Sequence, residues 1–416
     1  NILSDQAAVV IYVNLDSITH PNLSFNYTVD NRRLLLFQDV KAMNRATFTD
    51  SYHQIDIDAE SLQWNLDSSF IAFRKTSGLS EAIADFRSVN FYSEQEYEAI
   101  GGITSTHPLR LVKRFVKSTG QTTFSANLFV SFSGFPEVAA KEMLVNLSRE
   151  GYITYDRQLE MVYVKKKLDN FLDANDKKID YDVINIRSVI KRKDNGFLDL
   201  STNELIVSGV TRVLLSDSHS VYVEPRGNKI SIGKNRSMSF EGHVHAGPLD
   251  FYGDGFTFDY ETFKIKMKNV DSLKFRVYTD IVGINGRRQQ YDLRTVFEKI
   301  NGELLIDEPN NKAGLKDKPT YPIFKSNASC FVYWERDELR DSAYSKDKFY
   351  FKVDPFTMDS LDLVNTKRGY DFPGTLVSAG IFPDIKEMLV IQPDTSLGFI
   401  KKAPVEGYAA YGNKGR

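Results

Sequence analysis

Cysteine is nearly absent: Cys330 is the one thiol in 416 residues. A single thiol builds neither an intrachain disulfide framework nor a thiolate zinc site. Cys330 sits in the apolar run Cys330-Phe331-Val332-Tyr333-Trp334 and reads as a buried structural residue. Histidine is scarce, six in all, so a metal or general-base centre has few residues to draw on. Neither sign of charge dominates. There are 53 Lys and Arg against 55 Asp and Glu, a formal net charge of -2. That balance gives no global field for nucleic acid or an anionic membrane. No apolar run reaches the length of a membrane-spanning helix, and no signal peptide is visible. Phosphate loop, dinucleotide fingerprint and nucleophile elbow are also missing. The chain starts at Asn1 and ends at Arg416 without the character of a tail, and a segment of a longer chain is expected.

What is present favours strands. Hydrophobic residues make up 42% and aromatic residues 12%, enough for a packed core and too much for global disorder. The 21 Tyr and 29 Phe prefer pleated, half-buried positions. The length admits two or three domains or one elongated one. Residues 1–79 alternate in short runs such as Leu23-Ser24-Phe25-Asn26-Tyr27 and Leu62-Gln63-Trp64-Asn65-Leu66. Period-2 patterning between polar turns predicts β-strands.

Residues 80–103 predict a helical connector, with Ser80 as the N-cap of a first short helix and Ser93-Glu94 opening a second. Residues 104–175 differ in kind. Leu109, Val112, Phe115 and Val116 recur at helical spacing, Ser125 to Ser133 predicts a second helix, and Pro136 to Leu147 a third. Tyr152-Ile153-Thr154-Tyr155 and Met161-Val162-Tyr163-Val164 then predict a hairpin, and Leu168 to Leu172 a further helix. Three helices followed by a hairpin resemble the winged-helix fold. In that fold the third helix reads DNA. Here it carries Glu137, Glu142 and Glu150 against Lys141 and Arg149, the wrong sign for phosphate, so nucleic acid is not the expected partner. The basic residues Arg110, Lys113, Arg114 and Lys117 lie on the first helix and mark a candidate docking surface.

Strand patterning returns over 180–306, breaks in a Pro-, Asn-, Lys- and Gly-rich loop at 307–322, and resumes over 323–416. Phe240-x-Gly242 leading to Ala246-Gly247 is echoed by Phe372-x-Gly374 leading to Ala379-Gly380. Glycine at recurring bends predicts an elongated β-solenoid or a long curved β-sheet. The expected fold is therefore mainly β with a small inserted α+β winged-helix-like domain.

The stretch from Leu214-Leu215-Ser216-Asp217-Ser218 to Val270-Asp271-Ser272-Leu273 resembles very large envelope proteins of Bacteroidota-type bacteria. Leu304-Leu305-Ile306-Asp307-Glu308-Pro309 and Gly380-Ile381-Phe382-Pro383 do so too. The resemblance implies an extracytoplasmic setting and brings no catalytic motif. Some extracytoplasmic proteins of these bacteria carry O-glycans at Asp-Ser or Asp-Thr followed by an apolar residue. Ser17, Ser272, Ser342 and Ser360 stand in such triplets.

Three further patterns bear on chemistry. His243 and His245 share one face of a strand and with Glu241 could approach a metal, although a hydrogen-bonded pair is the simpler reading. The acidic stretch Asp173 to Asp182 lacks the glycine and further ligands of a calcium loop and reads as a solvated linker. Phe256, Phe258, Phe263, Ile265 and Met267 could line an apolar groove for lipid or glycan. No cofactor is expected. The function expected is a non-enzymatic structural or interaction protein of the bacterial envelope, partnered by other envelope proteins. The alternatives are a lipid- or glycan-handling groove and, further off, a carbohydrate-active enzyme with two facing carboxylates.

Overall fold

The computed structural model describes residues 1–38, 46–75, 81–102, 106–191, 194–283, 288–334, 345–361, 370–392 and 394–412. The chain is mainly β and divides into two units. One comprises Asn1–Leu215, Gly227–Met238 and Asn310–Leu315; the other comprises Ser216–Arg226, Ser239–Pro309 and Lys316–Arg416.

In the first unit the hairpin Ile2–Val13/Asp16–Thr28 feeds two antiparallel branches. One runs through Arg33–Phe37, Ser61–Asn65, Phe70–Arg74, Gly196–Asp199, Glu204–Ser208 and Lys229–Ile232. The other runs through Phe48–Asp50, Ile55–Asp58, Ala82–Ser88 and Asn185–Ile190. Alternation puts Leu36, Leu62, Phe73, Ile57 and Phe86 at 0% exposure between them. Phe48 and Phe73 meet across that core with ring centroids 5.8 Å apart. The pairings between these strands are antiparallel, as in a continuous sheet; a parallel β-helix would stack parallel coils.

His20 lies 2% exposed in this core. Its Nε2 is 2.8 Å from the Ala46 carbonyl, and its Nδ1 accepts from the Asn22 amide at 3.2 Å. Only the neutral ring with its proton on Nε2 satisfies both. Burial, chiefly, lowers its pKa to about 4. A depressed pKa means that the unfolded chain binds the proton first as pH falls. The stability contributed is complete above about pH 6.5 and is lost between there and about pH 4, a loss of at most about 3 kcal/mol. His20→Gln is expected to flatten that part of the curve of urea midpoint against pH. An unchanged slope would assign the acid sensitivity elsewhere.

Ala82–Ser88, expected to be helical, is a strand paired on both sides, with Ile55–Asp58 and with Asn185–Ile190. Its two alanines and the preceding Glu81 favour a helix, but two partner strands and the buried Ala82, Ala84 and Phe86 decide otherwise. Ser80 lies outside the described residues. The helices begin only with α1, Glu94–Gly101. Next come α2 (Pro108–Thr119), α3 (Ala126–Ser133) and α4 (Glu137–Arg149). The hairpin Ile153–Asp156/Met161–Val164 follows, with Thr123–Ser125 as its third strand, and then α5 (Lys166–Asn175). His107 caps α2 by accepting from the Leu109 amide, Pro108 starts it, and Gly120 ends it in the left-handed region at φ 70°. Leu109, Val112, Phe115, Phe129, Leu144 and Phe171 form a core of this segment's own.

The acidic stretch is not a solvated linker. Asp173 lies in α5, Asp180 accepts the Lys312 and Ala313 amides, and Asp182 is 0% exposed. The Asp182 carboxylate accepts from Ser88 Oγ at 2.6 Å and the Ile184 amide at 3.0 Å, and it lies 3.9 Å from Arg236 Nη1. Backbone turns and a buried arginine supply partners that the local sequence does not reveal.

In the second unit Val221–Pro225 pairs with Met238–Ala246. Leu249–Asp259, Lys264–Val282 and Phe297–Leu305 form a meander. It continues through Cys330–Val332, Phe349–Val353, Phe372–Ser378 and Ile385–Ile391. Phe256, Phe258, Phe263, Ile265 and Met267, proposed above as a groove lining, are at most 1% exposed. They are core, each aromatic contributing about 2–3 kcal/mol of burial. Cys330 is buried as well, and burial raises its thiol to about 12. The two Phe-x-Gly echoes share a cause. A Cβ on Gly242 would fall 2.4 Å from the Glu224 carbonyl, and one on Gly374 would fall 2.3 Å from the Lys352 carbonyl, so each glycine lets a neighbouring strand approach.

Candidate functional site

Two surfaces carry chemistry beyond packing. The first is on the helical segment. Of the four basic residues on α2, two are engaged internally. Arg110 donates to Tyr97, Asn175 and Asp176 and so ties α2 to α1 and α5, and Lys113 pairs with Asp169 of α5. Arg110 and then Lys178 hold the Asp176 carboxyl at about 2. Arg114 and Lys117 are exposed. Between α1 and α4 lies an apolar groove of about 670 Å³ lined by Ile100, Phe135, Ala139, Met143 and Leu147. Glu96, Glu142 and Glu150 rim it, with Arg149. Desolvation, then repulsion from Glu96, raises the Glu150 carboxyl above its usual range. Nothing in the spacing of the acidic residues on α4 showed that they border a groove, because α1 forms its other wall.

The second surface is polar and lies in the second unit. Cross-strand register sets Tyr222 opposite His245 and Glu224 opposite His243, while Val244 and Ala246 point into the core. After the Gly247-Pro248 turn the next strand brings in Asp250, and the strand beyond it Arg276, whose amide donates to the Pro248 carbonyl. His243 Nε2 and His245 Nδ1 each lie 2.8 Å from Asp250 Oδ1. His243 Nδ1 lies 2.9 Å from Glu224 Oε2. Arg276 Nη2 donates to Asp250 Oδ2 and is 3.1 Å from His245 Nδ1. Tyr252 stacks on His243 at 4.7 Å and Tyr222 on His245 at 4.5 Å, fixing both rings.

Burial works to raise the Asp250 carboxyl, but hydrogen bonds from His243 and His245 and the charge of Arg276 outweigh it, and the group is held far below the usual range. Burial works to lower His243, and its bonds to Asp250 and Glu224 overcome that and raise it. Glu241, the carboxylate named from sequence, lies apart, 3.8 Å from Arg226. The histidine pair was legible; Asp250, Glu224 and Arg276 come from three other strands and depend on register. Among the described residues, His243, His245 and Asp250 are the trio whose ligand atoms converge, within 4.8 Å of one another.

Ser17 and Ser272 lie half-buried on strands, where Ser17 donates its amide to Ser51 Oγ. Ser360 is 6% exposed with its hydroxyl on Asp359, so a sugar there would require that side chain to leave its place. Ser342 lies outside the described residues. Among the described residues no helix is long and apolar enough to cross a membrane. No family model matches the chain, and neither the curated proteins nor the solved structures contain a match.

Proposed function

We propose that the chain is a non-enzymatic structural and interaction protein of the bacterial envelope, with long curved antiparallel sheet as its platform and a winged-helix-like insert as its docking module. The observation that carries this reading is the groove between α1 and α4, apolar at its floor and acidic at its rim. Its occupant is an amphipathic segment of a second envelope protein bearing Lys or Arg. Apolar side chains fill the floor, and a cation beside Glu150 and Glu96 offsets the desolvation and the repulsion from Glu96 that raise the Glu150 carboxyl. Helix α4, which holds the position of the reading helix in a DNA-binding winged helix, brings Glu142 to this rim and ends at Glu150, which supports protein contact over nucleic acid.

A photo-crosslinker at Ala139, followed by capture from native envelopes, is expected to yield one adduct mapping to a basic, apolar peptide. Met143→Glu is expected to abolish that adduct while leaving the melting temperature within a few degrees, because Met143 is only partly buried. Enriched lipid without a peptide adduct would replace this reading with a lipid-handling one. An adduct that survives Met143→Glu would remove the groove from it.

A further inference from the structure

The histidine cluster of the second unit is independent of the docking groove. We propose that His243, His245 and Asp250 bind one divalent first-row transition metal ion, with Glu224 and Arg276 orienting the ligands. Two imidazoles and one carboxylate are a donor set for such ions, with positions left for water or a further ligand.

Three observations carry this. The first is spacing. A metal bonded to N and O at about 2.1 Å sets adjacent ligand atoms about 3 Å apart when the bonds meet at right angles. His243 Nε2 and His245 Nδ1 each stand 2.8 Å from Asp250 Oδ1, and the ligand atoms of the trio all lie within 4.8 Å of one another, so the two rings draw together for both nitrogens to reach one ion. The second is the state of the ring nitrogens. Glu224, 2.9 Å from His243 Nδ1, accepts the proton there and turns a bare Nε2 toward Asp250. Arg276 Nη2, 3.1 Å from His245 Nδ1, can only donate, and so presents Nδ1 as an acceptor too. With both rings neutral, three lone-pair-bearing atoms face one another, and either protons on the imidazoles, which make the hydrogen bonds to Asp250 described above, or a cation between the atoms satisfies that arrangement. The third is rigidity. Both rings are clamped by stacked tyrosines, and the ligands stand on strands rather than loops.

Arg276 is the competing cation. It is engaged chiefly with Asp250 Oδ2, leaving Oδ1 to the centre. On binding, the Arg276 guanidinium leaves His245 Nδ1, whose lone pair then faces the ion, and keeps Oδ2. Without a metal, protons on the two imidazoles fill the same role, and the test must separate the two states.

The test is calorimetric titration of the chelator-stripped full chain with Zn²⁺. One ion per chain is expected, with binding weakened at least about a hundredfold in His245→Ala and Asp250→Asn and about tenfold in Glu224→Gln. Circular dichroism of each variant checks that it folds. Should a variant not fold, the wild type decides alone: Zn²⁺ is expected to shift the imidazole nitrogen resonances of His243 and His245. No stoichiometric uptake, uptake equal in wild type and folded variants, or Zn²⁺ that leaves those resonances unmoved would each overturn the proposal in favour of protons alone.

Discussion

Asp182→Asn is expected to cost about 3–5 kcal/mol of stability, the range for removing one charge of a buried ion pair. The substitution keeps the shape and an acceptor for the Ile184 amide but removes the charge that faces Arg236, itself 6% exposed. The Ser88 hydroxyl lies between them, donating to Asp182 and accepting from Arg236 at 3.3 Å, so the loss spreads through three side chains. The measurement is the shift of the urea midpoint at unchanged slope. Arg236→Met in the same chain is expected to restore part of the loss, since an apolar side chain needs no counter-charge. A loss below about 1 kcal/mol in the single variant would show that other groups already neutralise Arg236.

The second large effect concerns the insert. Arg87 pairs with Asn185 across the sheet, and the Ser88 amide donates to the Ile184 carbonyl, so the chain leaves and re-enters the sheet on neighbouring strands. Tyr92 and Tyr181 stand 4.8 Å apart at the neck. Excising residues 94–178 behind a short Gly-Ser linker is expected to leave a cooperative melt and a strand-type circular dichroism spectrum. Asp180 and Asp182 are retained because both hold backbone of the body. A chain that no longer folds would show that the helical segment is part of the body's core rather than a module on it. Lys167, 3.3 Å from Asp56, is one of the contacts that such a result would bring forward.

The strands were legible where alternation is strict, as in Phe263-Lys264-Ile265-Lys266-Met267, because the period alone fixes which side is buried. What alternation cannot supply is the cover on the buried side. The same five residues served equally well as a groove lining until neighbouring strands closed over them. Ala82–Ser88 failed for a related reason: its local composition suits a helix, and its partners lie far away in sequence. The helices of the insert were readable because their caps and their packing are local, Pro136 and Gly120 among them. The polar site was half readable. His243 and His245 fall on one face by period, whereas the carboxylate that joins them is chosen by the turn at Gly247-Pro248 and the register of the next two strands.

The adjacency of the insert's two ends also bears on how the chain folds. Pairing Ala82–Ser88 with Asn185–Ile190 joins strands about a hundred residues apart, an entropically expensive closure for an open chain. The helical segment, built from local contacts, is placed to form early. Once formed, it holds Tyr92 beside Tyr181 and turns a distant strand pairing into a nearby one. Slower refolding on loosening the insert core, for example with Phe171→Ala, is expected to appear in the folding arm of the chevron more than in the unfolding arm.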